Sequence, residues 1–218
     1  MIASILKETK ELLARSGAVK RPEDQYSHMR YLKWLPIMRF DVERYDLEGY
    51  GTVMSMHTTT KMGMELLTLS FMPGEGLAVP YLLMDSMSMK SKKCVFVEYY
   101  GCGNDHLEEK KLREVWEQYR ELPDYAEKPG WYIAEREPYS LIKSGTEEQL
   151  CDMAADSLKA YLLAVESATR DPEYPPQLKK FRERMIRDGN PSSKTLKMLL
   201  KKEGADRFMR EVVMPLKD

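Results

Sequence analysis

The chain has 218 residues, 43 % hydrophobic and 32 % charged, ordinary proportions for a globular protein with a substantial core. Its 34 basic and 35 acidic side chains leave a formal net charge of −1, which excludes holding nucleic acid or an anionic membrane through overall charge. Cys94, Cys102 and Cys151 are odd in number and lack C-x-x-C spacing, so they read as reduced thiols rather than a disulfide framework or a zinc or iron–sulfur site.

Residues 2–15 carry Ile2, Ile5, Leu6, Leu12 and Leu13 at helical spacing and stop before Gly17, predicting an amphipathic helix with a glycine cap. Lys7, Glu8 and Lys10 interrupt it, so it is no signal peptide. No later apolar run reaches transmembrane length, and a cytoplasmic protein is expected. A second helical stretch is read from Glu23 to Trp34, ending before Pro36. The period then changes to two, and RFDVERYDLE, YGTVMSMHTT, ELLTLSFM, PYLLMDSMSM and KCVFVEYY read as short strands bounded by Gly, Pro, Asp and Lys. Their connections are too short for helical crossovers, which predicts an antiparallel meander.

Beyond Gly103 the pattern is mostly helical. Asn104 or Asp105 can cap a helix bearing Leu112, Val115, Trp116 and Tyr119 that ends before Pro123. PGWYIAEREPYSLI can add one further strand. The TEEQ at 146–149 is a capping box that opens a helix with Leu150, Met153, Ser157, Tyr161, Leu162 and Val165 on one face. From Pro175 onward three helices are read, QLKKFRERMIRD, SSKTLKMLLKK and ADRFMREVVM, parted by Gly189-Asn190-Pro191 and by Gly204. The expected fold class is α+β, a three-layer α/β/α sandwich with a central antiparallel sheet, in one domain over 1–218.

Nucleotide-binding and hydrolytic motifs are missing: GYG at 49–51 and GCG at 101–103 lack a third glycine and a strand-to-helix setting, and there is no GxxxxGK[ST] or GxSxG. His28, His57 and His106 are too dispersed for a metal triad. What remains is a set of polar residues inside the strands: His57, Thr68, Ser70, Asp85 and Glu98. Asp85 stands alone in the otherwise apolar or small run VPYLLMDSMSM, where an ionised carboxylate is costly unless paired or hydrogen-bonded. Two readings stand. These groups are structural, satisfied at strand ends or by an ion pair to an arginine such as Arg39 or Arg44, or they line a cavity whose carboxyls have raised pKa values and deliver protons. The methionines between Met54 and Met89 are either core filler or the walls of an adaptable apolar pocket.

Pro73, Pro80 and Asp85 form P-x6-P-x4-D within FMPGEGLAVPYLLMD. This resembles the ferredoxin-dependent bilin reductases, in which a proline-spaced turn leads to an aspartate that protonates the tetrapyrrole. SSKTLKMLLKKEGADRFMREVVMP is similar to the terminal helices of that family, and the order of elements agrees over most of the chain. Two departures stand out. Thr68 occupies the position where some members have a histidine, and Ser193, followed by Lys194, the position where many have a second aspartate.

The resemblance implies an oxidoreductase that reduces an open-chain tetrapyrrole with electrons from external ferredoxin and no bound flavin or nicotinamide. It implies Asp85 as proton donor, with His57, Thr68, Glu98, Ser193 and Lys194 as substrate-binding residues. Met54, Met56, Met84 and Met87 are candidate apolar walls, and Lys90, Lys92, Lys93 and Lys194 candidate cations for propionates. Arg182, Arg184, Arg187, Lys197, Lys201 and Lys202 are either a docking face for ferredoxin or a solvated helix face. The replacements at Thr68 and Ser193 keep a second function open, a non-catalytic binder of a tetrapyrrole or another planar ligand on the same fold.

Overall fold

The computed structural model describes residues 1–32, 37–90, 92–102, 108–170, 172 and 174–216, with the side chains of 174–176 outside that description. The first helix, α1 (Ile2–Arg15), buries Ile2, Ile5, Thr9 and Leu13, one stripe of its surface. It ends in a Schellman turn: Gly17 sits at φ +77°, its N–H bonding Ala14 O at 3.1 Å while Ala18 N–H bonds Leu13 O at 2.9 Å.

Eight strands follow among the described residues: β1 (Val19–Lys20), β2 (His28–Tyr31), β3 (Met38–Leu47), β4 (Gly51–Thr60), β5 (Glu65–Pro73), β6 (Tyr81–Met89), β7 (Lys92–Tyr100) and β8 (Leu141–Ser144). They form one antiparallel sheet in the order β1-β3-β4-β5-β6-β7-β8, with β2 also pairing β3. The five period-two runs of the sequence fall on β3 to β7. At the start of β4, Gly51 lies so close to its neighbour that a Cβ would stand 2.2 Å from Met72 O, fixing glycine at that crossing.

The remaining helices are α2 (Lys110–Tyr119), α3 (Glu147–Ser167), α4 (Tyr174–Arg187) and α5 (Ser193–Phe208). The capping box is present, with Thr146 accepting from Gln149 N–H and Gln149 reaching back to Thr146 N–H. Helices α1, α2 and α3 cover one sheet face, where Leu67, Leu69, Phe71, Leu82, Val95 and Val97 meet Leu150, Leu158 and Tyr161. On the other face, Met54, Tyr81, Leu83 and Tyr100 meet Leu178, Phe181, Leu196 and Phe208 of α4 and α5. The expected three-layer α+β sandwich is the observed one.

Two local expectations are corrected, and the further strand expected from PGWYIAEREPYSLI is found at the end of that run, in β8. Residues 23–31 are not helical: Asp24 accepts from Tyr26 N–H at 2.9 Å and bonds Ser27, a turn that leads into β2, where Met29 is buried. The capping oxygen of Asp24 favours the turn over helix continuation. The run PGWYIAEREPYSLI splits into a 3₁₀ turn (Trp131–Glu135) and the short β8. The last helices are not parted at Gly204; the break is at Lys201, at φ 62°, and a π turn (Met209–Val213) continues from Phe208. Trp34, Pro36, Asn104, Asp105 and His106 lie outside the described residues.

Candidate functional site

Pairing in the sheet sets Val42, Met56, Thr68, Asp85, Phe96 and Ile142 side by side in one row across six strands, all on the α4–α5 face. Val42 and Met56 are buried, whereas Thr68, Asp85, Phe96 and Ile142 are half-buried. Leu66 and Met87, next along β5 and β6 on the same face, are half-buried too. The covering helices therefore seal the Tyr81 and Tyr100 end of this face and stop short of Asp85.

Thr68 Oγ1 donates to the Asp85 carboxylate. Burial pushes the Asp85 carboxyl above its ordinary range, and the Thr68 hydrogen bond offsets only part of that rise. A carboxyl that holds its proton more tightly than usual, half open on an apolar row, is of the kind that serves as a general acid.

One row towards α4, Glu98 lies opposite Leu83, which makes it the diagonal neighbour of Asp85 across β6 and β7. Glu98 is buried; its Oε1 stands 2.6 Å from Arg136 and accepts from the Tyr100 hydroxyl at 2.9 Å. Arg136 also grips Glu127 through two contacts of 2.6 and 2.7 Å. Because Glu127 takes the paired fork of the guanidinium, Glu98 is only partly compensated. Burial pushes it up to about 7, the nearby Asp85 charge adding to that rise and Arg136 opposing it. Deeper still, the Ser70 hydroxyl lies 2.9 Å from the Tyr81 hydroxyl and donates to Val213 O at 2.5 Å, tying the π turn to the sheet.

The structure brings together Asp85, Thr68 and Glu98 but not the other expected residues. His57 is on the opposite face: it pairs with Asp41 and Leu67, lies 4.0 Å from Glu65, and lines a polar cavity of about 100 Å³ under α1 with Lys10, Glu43 and Ser55. Ser193 is engaged locally, its hydroxyl accepting from Asn190 N–H at 2.8 Å, and Lys194 is exposed. Of the four methionines, Met54, Met56 and Met87 are on the Asp85 face, while Met84 packs against the α1–α3 side.

Neither expected arginine reaches Asp85. Arg44 bonds Asp24 at 2.5 Å and Arg39 is exposed. Among the candidate cations, Lys93 bonds Glu147 at 2.8 Å, Lys92 stands 4.1 Å above the Tyr125 ring, and Lys90 is exposed. Arg182 is buried, Arg184 and the exposed Arg187 bond Asp188, and Lys197, Lys201 and Lys202 are exposed.

Sequence reasoning missed Arg136, Tyr81 and Tyr100. The signal for Arg136 was present: a carboxylate at Glu98 inside an apolar strand needs a cation, and Arg136 lies within the aromatic-rich WYIAEREPY.

No protein-family model matches the sequence, and no curated protein sequence is similar to it. By structure the chain is similar to phytochromobilin synthase from tomato, solved in complex with biliverdin, with a TM-score of 0.69 and 13 % identity. The match covers 95 % of this chain and 79 % of that one. At this identity the likeness is one of fold. Among the described residues no helix is long and apolar enough to cross a membrane.

Proposed function

We propose that this protein binds an open-chain tetrapyrrole on the uncovered part of the α4–α5 sheet face and reduces it, with Asp85 delivering a proton and external ferredoxin delivering electrons. The observation that supports this reading is the Thr68–Asp85 pair: a carboxyl raised by burial, half open in the middle of a sheet, in a fold shared with a protein solved with biliverdin. Leu66, Met87, Phe96 and Ile142 offer a planar apolar surface of the kind a tetrapyrrole covers. Lys90, Lys92 and Lys194 are the cations within this proposal for its propionates, and exposed Lys197, Lys201 and Lys202 are those for an acidic ferredoxin. No flavin or nicotinamide takes part, and the reading treats 1–218 as a single domain.

Protonation raises the electron affinity of the ligand, so a neutral Asp85 carboxyl acts before or with electron arrival. The test is titration with biliverdin, read as a red shift or sharpening of the visible band, followed by addition of reduced ferredoxin, read as bleaching. An Asp85→Asn variant is expected to keep the band shift and lose bleaching. Normal bleaching by that variant removes Asp85 from the mechanism, and a titration without any band change removes the ligand class.

A second reading, a binder without turnover, is favoured by Thr68 and Ser193. Neither hydroxyl titrates near neutral pH, and that of Ser193 is already held in a local turn. It predicts the band shift in the wild type with no electron-dependent change.

A further inference from the structure

Reducing one double bond takes up two electrons and two protons. In the reading above Asp85, its carboxyl raised by burial, supplies one of those protons. Thr68 cannot supply another near neutral pH, and His57 lies on the opposite face. Among the described residues beside Asp85 on its own face, the remaining carboxyl is Glu98, its diagonal neighbour across β6 and β7. The surroundings of Glu98 are built. Arg136 is 8 % exposed at its side chain and Glu98 is 5 % exposed, the two 2.6 Å apart. Arg136 is anchored in turn by Glu127. Tyr100 donates to Glu98 from the same strand, Tyr81 approaches from β6, Tyr132 from the 3₁₀ turn, and α4 meets both tyrosines with the apolar Phe181 ring. The other diagonal neighbour of Asp85 on β7 is Cys94, opposite Met87, a buried thiol whose titration burial pushes up to about 11.

We propose that Asp85 and Glu98 form a coupled proton-holding pair, with Glu98 supplying the second proton of the reduction and Arg136 acting as the positioning residue that fixes Glu98 and sets how readily it gives that proton up. Its place in catalysis rests on the reading of the site as a tetrapyrrole reductase; the coupling itself does not. In the balanced step, ferredoxin gives two electrons one at a time. The Asp85 carboxyl gives one proton to the ligand and becomes a carboxylate; the Glu98 carboxyl gives the second, and water restores both.

Two carboxyls sharing a low-dielectric site cannot ionise independently, because the first charge raises the cost of the second. The grip of Glu127 on Arg136 leaves Glu98 one guanidinium contact instead of a fork, which keeps it able to take a proton. The Arg136 Nε–H is buried without a hydrogen-bond partner, so the guanidinium is held through its terminal nitrogens by Glu127 and Glu98, with Tyr100 bonding it and the Tyr132 ring 5.9 Å away.

The ligand-free protein tests the coupling by carboxyl ¹³C NMR. Glu98 is expected to titrate in the neutral range, to move down by about 1 pH unit or more in Asp85→Asn, and to move up in Arg136→Gln. Arg136→Lys, which keeps the charge and the fold, is expected to give an intermediate value. A Glu98 that stays ionised from pH 5 to 8, or that ignores Asp85→Asn, overturns the proposal. With biliverdin and reduced ferredoxin, Glu98→Gln is expected to keep the band shift and to lower bleaching at least tenfold, with an altered pH profile. Bleaching by Glu98→Gln at the wild-type rate and pH profile overturns the catalytic part. A wild type that shows the coupling but never bleaches overturns the reductase reading and that catalytic part together, leaving the pair established.

Discussion

Along β5 and β6, Leu67, Leu69, Leu82 and Met84 point to the α1–α3 side and are at most 1 % exposed, while Leu66, Thr68, Asp85 and Met87, which alternate with them, point to the α4–α5 side and stay half-buried. The same strands thus carry a finished core on one face and an unfinished one on the other. Closing a face with leucine and tyrosine is what hydrophobic transfer alone produces. Leaving an apolar row half open around an acid forgoes that stabilisation, and a planar ligand laid on the row recovers it.

The contrast can be broken first at its closed side. Leu67→Ala is expected to cost about 3 kcal/mol by urea denaturation, because it leaves a cavity in a sealed core. Leu66→Ala, one residue away on the open face, is expected to cost less than about 1 kcal/mol. Equal losses would mean that both faces are closed in solution.

Next in size is the pH dependence of Glu98. Its value of about 7 lies above the ordinary 4.5, so its contribution to stability is complete below pH 4.5 and is lost as pH rises through 7. The loss is on the order of 3 kcal/mol. Glu98→Gln is expected to flatten the stability profile across that window, as measured by thermal melting at a series of pH values.

Asp85→Asn should sharpen the comparison in the opposite sense. Its carboxyl is raised by burial, so its charged form is disfavoured at pH 7, and a neutral amide can still accept from Thr68. A gain of about 1 kcal/mol is expected at pH 7, shrinking as pH falls towards the unfolded value, in a variant that has lost its proposed function. The smallest effect is that of Ser193→Ala, about 0.5–1 kcal/mol from the lost bond to Asn190 N–H.

Much of the fold could be read from the chain because local signals and burial agree there. The alternation of ELLTLSFM and PYLLMDSMSM, the glycine after α1 and the TEEQ box each state a backbone choice that the tertiary structure keeps. Residues 23–31 failed because Tyr26 and Met29 sit at a spacing compatible with a helix, yet Asp24 closes a turn and β3 offers a pairing edge. Asp85, Thr68 and Glu98 were legible as polar residues in strands.

His57 was misplaced because type and strand were read without parity. The hairpin at Gly63 sets Thr60 against Met64 and so pairs His57 with Leu67, a residue of the closed core. Arg136 was missed because it reaches Glu98 from a segment without periodicity, 38 residues further along.

The hairpin-linked meander also fixes what this protein can tolerate as its sequence drifts. The site is spelled as parity: even-numbered positions on β5 and β7, odd-numbered ones on β6. One residue gained or lost between Leu82 and Asp85 would turn the acid under α3 and present Ser86 or Met84 in its place. The same change in the turn at Lys61–Gly63, where all three residues are exposed, would leave the Thr68–Asp85 pairing untouched. Length variation among descendants of this chain should therefore collect at that hairpin tip and be purged from the strands, whatever happens to the residues themselves.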